Sequence, residues 1–273
     1  MLKVLRIATL FLFVATVGIF ALFFVHEKKN TDTTYPEIKI VGDVIEVSID
    51  ATEEDFLKGV TAYDGKDGDI TSNIVVETIS KFIEPGVCKV TYAVADSDNH
   101  VVKNSRTIKY NDYTPPRFIM NRALVFNVNE TVDISSAIGA VDSIDGDISD
   151  KVVITATDYT ADTVGVFSVS VQATNSNGDI IYIDMPLHIE DTSVLAPVIE
   201  LSEYLIYVKK GQEPDFNKYI ESVTTINGQP IEYDMIVSTN FDSNIPGVYS
   251  VNFYATTTEG YQSHSVLTVV VEE

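Results

Sequence analysis

Beyond residue 35 the chain alternates apolar and polar residues with a period of two. In 88–94, Cys88, Val90, Tyr92 and Val94 alternate with Lys89, Thr91 and Ala93. The same rhythm runs through Phe167, Val169, Val171 and Ala173, and again through Tyr249, Val251, Phe253 and Ala255. One face of each run is apolar and the other mostly polar, the pattern of a half-buried antiparallel strand. Further strands follow the same logic at 44–49, 73–79 and 101–110, with counterparts downstream. Clusters of Gly, Asp, Asn and Pro separate them, and about seven short strands in about 80 residues predict a β-sandwich.

The pattern occurs three times. "GVCKVTYAVADSDN" (86–99) returns as "GVFSVSVQATNSNG" (165–178) and "GVYSVNFYATTTEG" (247–260). Upstream, "DFLKGVTAYDGKDGDI" (55–70) returns as "DISSAIGAVDSIDGDI" (133–148) and, weakened, as "DFNKYIESVTTINGQP" (215–230). These align without a gap on Gly68, Gly146 and Gly228. The repeats divide the chain at 36–112, 113–192 and 193–273, with prolines 36, 115, 116 and 197 at the joints. Joints this short predict a stiff array. One segment per repeat departs from the strand period. Asp55, Asp133 or Asp215 precedes an apolar residue, and a second apolar residue follows four later. That spacing predicts one helical turn with the aspartate as N-cap.

Residues 7–25 carry no charge. As a helix they would span about 28 Å, close to the hydrocarbon thickness of a bilayer. Lys3 and Arg6 precede the run and favour a cytoplasmic N-terminus, which Lys28 and Lys29 on the far side weaken. The run is longer than the apolar core of a cleaved signal, and its exit lacks a small-x-small site. The expectation is therefore a transmembrane signal anchor over 1–30, with cleavage and secretion as the alternative. Either places the rest of the chain outside the cytoplasm.

Charge narrows the partners. The chain holds 18 basic and 40 acidic residues, a net charge of −22, and four of the basic residues lie within 1–30. Such a body is repelled by phosphate backbones, which argues against nucleic acid, and it can attract cations or basic partners. The single cysteine, Cys88, occupies the place of Phe167 and Tyr249, so it reads as a small core residue and no disulfide framework exists.

The motifs "TAYDGKDGDIT" with "EPGVCKVTYAVADSDNH", and "GAVDSIDGDIS" with "VGVFSVSVQATNSNGD", resemble bacterial immunoglobulin-like domains. That family occurs in tandem on Gram-positive surface proteins and as accessory domains of pesticidal crystal toxins. The third repeat keeps "PGVYSVNFYATTTEG" and has lost "DGDIT". The resemblance implies an all-β chain of three tandem immunoglobulin-like sandwiches, serving as spacers, stalks or binding modules without activity of their own.

The chemistry that stands out is the loop "YDGKDGDIT" (63–71). It is not an EF-hand, since a loop starting at Asp64 puts Lys66, Gly68 and Val75 at positions 3, 5 and 12. Two readings stand. One is a tight Asp-Gly turn. The other is a calcium site, calcium being the one cofactor suggested. It would gather Asp64, Asp67 and Asp69 with Asp96 and Asp98 in the first repeat. In the second it would gather Asp142, Asp145 and Asp147 with Asn175, Asp179 and Asp112. Thr224, Asn227 and Gln229 stand at the aligned third positions, so that repeat should lack a site. His26, His100, His188 and His264 show no metal-ligand spacing and read as surface or turn residues. Tyr254 and Tyr261 could form an aromatic platform for carbohydrate or peptide. No nucleophile elbow, phosphate loop or dinucleotide fingerprint occurs. The expected protein is non-enzymatic and held to the cell membrane by a single pass. Its sandwiches serve adhesion or protein interaction, or alternatively bind cell-wall glycan or assist a secreted enzyme or toxin.

Overall fold

The computed structural model describes residues 2–30 and 33–273; the side chains of 2–5 and 26–30, including Lys3, His26, Lys28 and Lys29, lie outside the described residues. Leu2–Asn30 forms one α-helix, α1. Its two threonines bond to the helix's own backbone: the Thr9 hydroxyl donates to the Arg6 carbonyl (3.0 Å), and the Thr16 hydroxyl to the Phe13 carbonyl (2.8 Å). Every side chain from Arg6 to Val25 is exposed, so none of this apolar surface is buried within the fold.

The strands sort into three pairs of facing sheets. In the first, β1 (Glu37–Ile40), β3 (Val60–Asp64) and β4 (Gly68–Asp69) form one sheet in the order β1-β3-β4. The other runs β2-β7-β6-β5, from β2 (Val44–Val47), β5 (Val75–Ile79), β6 (Val87–Ala95) and β7 (Val101–Tyr110). The second repeats this with β8 (Arg117–Met120), β10 (Ile138–Asp142) and β11 (Gly146–Asp147) against β9 (Val125–Asn127), β12 (Val153–Thr157), β13 (Gly165–Thr174) and β14 (Ile180–Glu190). The third sets β15 (Val198–Leu201) and β17 (Ile220–Thr224) against β16 (Leu205–Lys209), β18 (Tyr233–Thr239), β19 (Gly247–Thr257) and β20 (Gln262–Glu272). In the second and third the short strand β9 or β16 runs parallel to the last strand, β14 or β20. The chain is thus all-β after α1, built as three tandem immunoglobulin-like sandwiches.

The alternation is realised over most of its predicted positions, although Phe167 and Tyr249 are only half-buried and Ala93, on the opposite face, is buried as well. Cys88, Val90, Tyr92 and Val94 are all buried, as are Val169, Val171 and Ala173, and Val251, Phe253 and Ala255. Strand β5 begins two residues later than the period suggests, because Thr71–Asn73 winds into a 3-10 turn. Thr71 drives this: its N–H donates to Asp69 Oδ1 (3.0 Å), and its hydroxyl accepts from the Ala62 N–H (3.1 Å).

By contact the chain forms two compact units, residues 1–80 with 87–109, and residues 81–86 with 110–273. The second unit holds two sandwiches, and their packing is continuous. Leu205 is buried in the core around Phe118, Phe126 and Leu187, with Tyr204, Tyr207 and Val270 packed against it. Arg117 lies over the Tyr207 ring at 4.8 Å and pairs with both oxygens of Glu272 at 2.7 Å.

The short helical turns correct one expectation. Asp133 does cap α3 (Ile134–Ala137), accepting from the Ser136 N–H at 3.1 Å, and Asp215 accepts from the Asn217 N–H at 3.3 Å. Asp55 instead lies inside α2 (Glu53–Leu57), whose N-cap is Thr52. Thr52 stands three residues before an acid, so the carboxylate reaches back as in a capping box: Asp55 Oδ2 accepts from the Thr52 N–H (2.9 Å) and hydroxyl (3.1 Å). Lys58 Nζ donates to Oδ1 at 2.7 Å, and this bond, ahead of those from Thr52, lowers the Asp55 carboxyl to about 2. The stability carried by its ionised form is therefore present above the ordinary value of 3.8 and lost as pH falls through about 2. In an NMR titration, Lys58→Ala should move the Asp55 midpoint upward toward 3.8; an unmoved midpoint would refute the assignment.

Candidate functional site

The "DGDI" turns owe their shape to glycine and to a buried acid. Gly68, Gly146 and Gly228 have φ of +75°, +73° and +73°, a region that L side chains rarely adopt, although a Cβ there would meet nothing within 4 Å. The constraint is thus backbone conformation, not space. Four residues earlier, Asp64 and Asp142 are buried at 1% and 6% exposure. Asp64 Oδ1 accepts from the N–H groups of Lys66 (2.8 Å) and Asp67 (3.0 Å). Asp142 Oδ1 accepts from those of Ile144 (2.9 Å) and Asp145 (2.8 Å), while its Oδ2 accepts from Asn175 Nδ2 (3.1 Å).

The expected approach of this turn to the last hairpin is present in both sandwiches. Asp67 accepts from the Ser97 N–H (2.7 Å) and hydroxyl (2.9 Å); Asp145 accepts from the Ser176 N–H and hydroxyl, each at 2.6 Å. Burial would raise the Asp145 carboxyl, but the Ser176 donors outweigh it and hold it below the usual range. Lys66 pairs with Asp98, and Lys151 with Asp145. Asp69 and Asp147 face outward and accept from Thr71 and Ser149, whose hydroxyl and N–H lower both carboxyls. Asp179 accepts from the Tyr113 hydroxyl at 2.8 Å; burial, then this carboxylate, pushes the phenol far above its usual value. Asp112, beside Tyr113, is exposed.

A single position in the hairpin shows what the fold requires. Asp96 Oδ1 accepts from the His100 N–H (2.8 Å), Asn175 Oδ1 from the Asp179 N–H (2.9 Å), and Thr257 Oγ1 from the Tyr261 N–H (3.2 Å). Carboxylate, amide and hydroxyl perform one task, so the hairpin needs an oxygen acceptor and not a charge. Asp96 additionally accepts from His100 Nδ1 at 2.7 Å.

The histidines overturn their sequence reading in part. His100 is a turn residue, half-buried against the Tyr35 ring. His188 and His264 are interior. They lie on β14 and β20 with ring centroids 4.8 Å apart, and Glu190 joins them to make a group of three metal-ligating side chains whose ligand atoms all lie within 4.8 Å of one another. Among the described residues this is the group of that kind that comes together, and none of the eight candidate aspartates belongs to it. His264 Nδ1 lies 2.6 Å from Glu190 Oε1 and its Nε2 lies 3.0 Å from Asn252 Oδ1. Burial, then the neighbouring His264, pushes His188 down to about 4, so its imidazole is neutral near pH 7. Tyr254, across the ladder from His264, stacks on that ring at 4.5 Å and 9°, and is half-buried instead of fully outward. A cleft of ≈ 400 Å³ opens here, lined by Glu190, Tyr254, Tyr261, Gln262 and His264 among others.

Sequence spacing could not find this group, because His188 and His264 stand far apart in the chain. The available signal was a histidine in the last strand of each of two repeats, on the outward face of the alternation.

No family model matches the chain. It is 28% identical over 178 residues to an uncharacterized 81.3 kDa protein of Acholeplasma phage L2, a match covering 63% of this chain and 24% of that protein. The chain therefore spans about a quarter of that relative's length. Among solved structures it overlaps the CBM51-2 and INT domains of Clostridium perfringens ZmpB, solved in complex with GlcNAc, at 22% identity, covering 54% of this chain and 26% of that one, with a TM-score of 0.23. Drosophila N-cadherin EC1-3 overlaps at 14% identity, covering 89% and 90%, with a TM-score of 0.32. These overlaps are shallow, and the fold assignment rests on the strand pairing itself.

Proposed function

We propose that the protein is a non-enzymatic, membrane-anchored bacterial surface protein whose three sandwiches, of the bacterial immunoglobulin-like family, act as a stalk or interaction module outside the cytoplasm. The observation that supports this is α1. Twenty residues, Arg6–Val25, form a helix long and apolar enough to cross a bilayer, and none of that segment is buried in protein. Such a surface exposed to water is strongly unfavourable, whereas a bilayer removes it from water while the helix satisfies its own backbone. A core helix would be packed; the side chains of this one from Arg6 to Val25 are all exposed.

A second reading, binding of cell-wall glycan or another polymer, draws on the cleft where Tyr254 and Tyr261 stand beside Gln262 and Asp191. Aromatic faces with nearby hydrogen-bonding groups suit a sugar ring.

Fractionation tests the anchor. The full chain should stay with membranes through alkaline extraction, and a chain lacking residues 1–30 should be soluble or secreted. Recovery of the full chain in the soluble fraction at its complete length would overturn the anchor. Retention of the truncated protein on purified peptidoglycan or glycan beads, lost in Tyr254→Ala, would favour the second reading over a plain stalk.

A further inference from the structure

The geometry points to a divalent transition-metal site, filled by zinc, in which His188 and Glu190 of β14 and His264 of β20 clamp the second sandwich to the third. This inference is independent of where the protein resides.

The donor set is the first argument. Two imidazoles and a carboxylate form one of the sets that bind zinc with a fourth position open, whereas calcium and magnesium require mostly oxygen. Tetrahedral bonds of ~2.0–2.2 Å place ligand atoms about 3.3 Å apart. The three side chains here already offer atoms within 4.8 Å of one another, so shifts of about an ångström complete the site.

Hydrogen bonding around His264 is the second. Asn252 Nδ2 donates to the Ser238 carbonyl at 3.3 Å, which turns Asn252 Oδ1 toward His264 Nε2 at 3.0 Å. An acceptor at that distance requires the hydrogen on Nε2. The Nδ1 lone pair then faces Glu190 Oε1 at 2.6 Å. Two acceptor atoms that close need a cation between them, and a metal ion can take the place of a proton. A ligating histidine whose other nitrogen donates to a fixed oxygen is the usual arrangement at metal sites.

The third argument is an orphan. His188 is 9% exposed, and its Nε2 is buried without a hydrogen-bond partner. Buried polar atoms are rarely left so. A metal bond would satisfy it. Tyr254 stacked on His264 fixes the second imidazole plane, and the cleft beside it leaves water access to a fourth position.

The test uses the full chain in detergent, without an affinity tag and stripped with EDTA. Zinc chloride titrated calorimetrically should bind with one ion per chain at this site, and cobalt(II) should give the visible absorption of a four-coordinate ion. His188→Ala and His264→Ala should abolish both signals, and Asn252→Ala should weaken zinc 10–100-fold. Zinc should raise the thermal midpoint of the wild type and not of His188→Ala. Because His264 is deeply buried, Glu190→Gln provides a milder variant on a more exposed side chain, and it too should weaken zinc while leaving the apo midpoint near that of the wild type. His100→Ala should change nothing. Absence of zinc binding, or binding that survives both His188→Ala and Glu190→Gln unchanged, would overturn the site.

Discussion

Arg106→Ala is expected to destabilise the first sandwich by about 3–5 kcal/mol. Arg106 is 5% exposed, and no carboxylate pairs with it among the described residues. Its guanidinium is held by neutral oxygens: Nε donates to the Tyr92 hydroxyl (2.8 Å), and one terminal nitrogen donates to the carbonyls of Phe56 and Lys58 (2.7 Å each). Tyr92 itself donates to the Phe56 carbonyl at 2.6 Å. These bonds tie the end of α2 to β6 and β7. Alanine leaves a cavity, strips the Lys58 carbonyl of this donor and removes a donor from Phe56 and Tyr92. The other two sandwiches show the alternative. Val90 pairs with Arg106, whereas the corresponding Val169 and Val251 pair with Met185 and Leu267, both buried apolar residues. Where Tyr92 stands, they carry Val171 and Phe253. Arg106→Met with Tyr92→Phe should therefore cost less than Arg106→Ala alone, a non-additive result. Hydrogen exchange of the β6 and β7 amides reads the loss, with β19 and β20 as the internal reference. Unchanged protection in Arg106→Ala would refute the role given to this network.

Asp142→Ala is expected to cost about 2–4 kcal/mol in the second sandwich, because it removes the acceptor for three donors in a buried turn. Those donors are the N–H groups of Ile144 and Asp145 and the Asn175 amide. Asp142→Asn should be milder. It can keep one acceptor for the backbone pair but sets two amide donors against each other at Asn175. Thr224→Ala, at the aligned third position, should shift stability by no more than about 0.5 kcal/mol, since that turn is held instead by Thr225 Oγ1 accepting from the Gln229 N–H at 3.1 Å. Urea denaturation followed by exchange of the β13 amides separates these outcomes. Equal effects of Asp142→Ala and Thr224→Ala would show that the buried carboxylate contributes no more than a turn hydroxyl.

The turn motif illustrates how far the sequence reaches. Self-alignment fixes Gly68, Gly146 and Gly228 as backbone requirements, since a positive φ recurs wherever the turn does. The immunoglobulin-like topology implied by the resemblance brings the first two turns beside the last hairpin of their sandwiches, and Asp67 with Ser97 and Asp145 with Ser176 meet there. Self-alignment does not show that Asp64 and Asp142 are buried while Asp69 and Asp147 face solvent, because all four are the same residue type in one short loop. Local spacing does carry the signal that Asp55 caps from within α2, since Thr52 stands three residues before it, but a reading based on the aspartate and the apolar pair alone passes over it.

The sequence by itself determined the strands, their inward faces, the three-fold repetition and the apolar helix. All of these are periodic or contiguous signals, carried by residues close together in the chain. The tertiary structure decided everything that involves an outward face. His188 and His264 alternate with core residues and so point away from their own sandwich cores, the position of a surface residue. They are interior because the second and third sandwiches pack together, bringing the outer face of β14 against β20. That contact depends on shape over two folded bodies, and a pattern of period two within one strand carries no information about it.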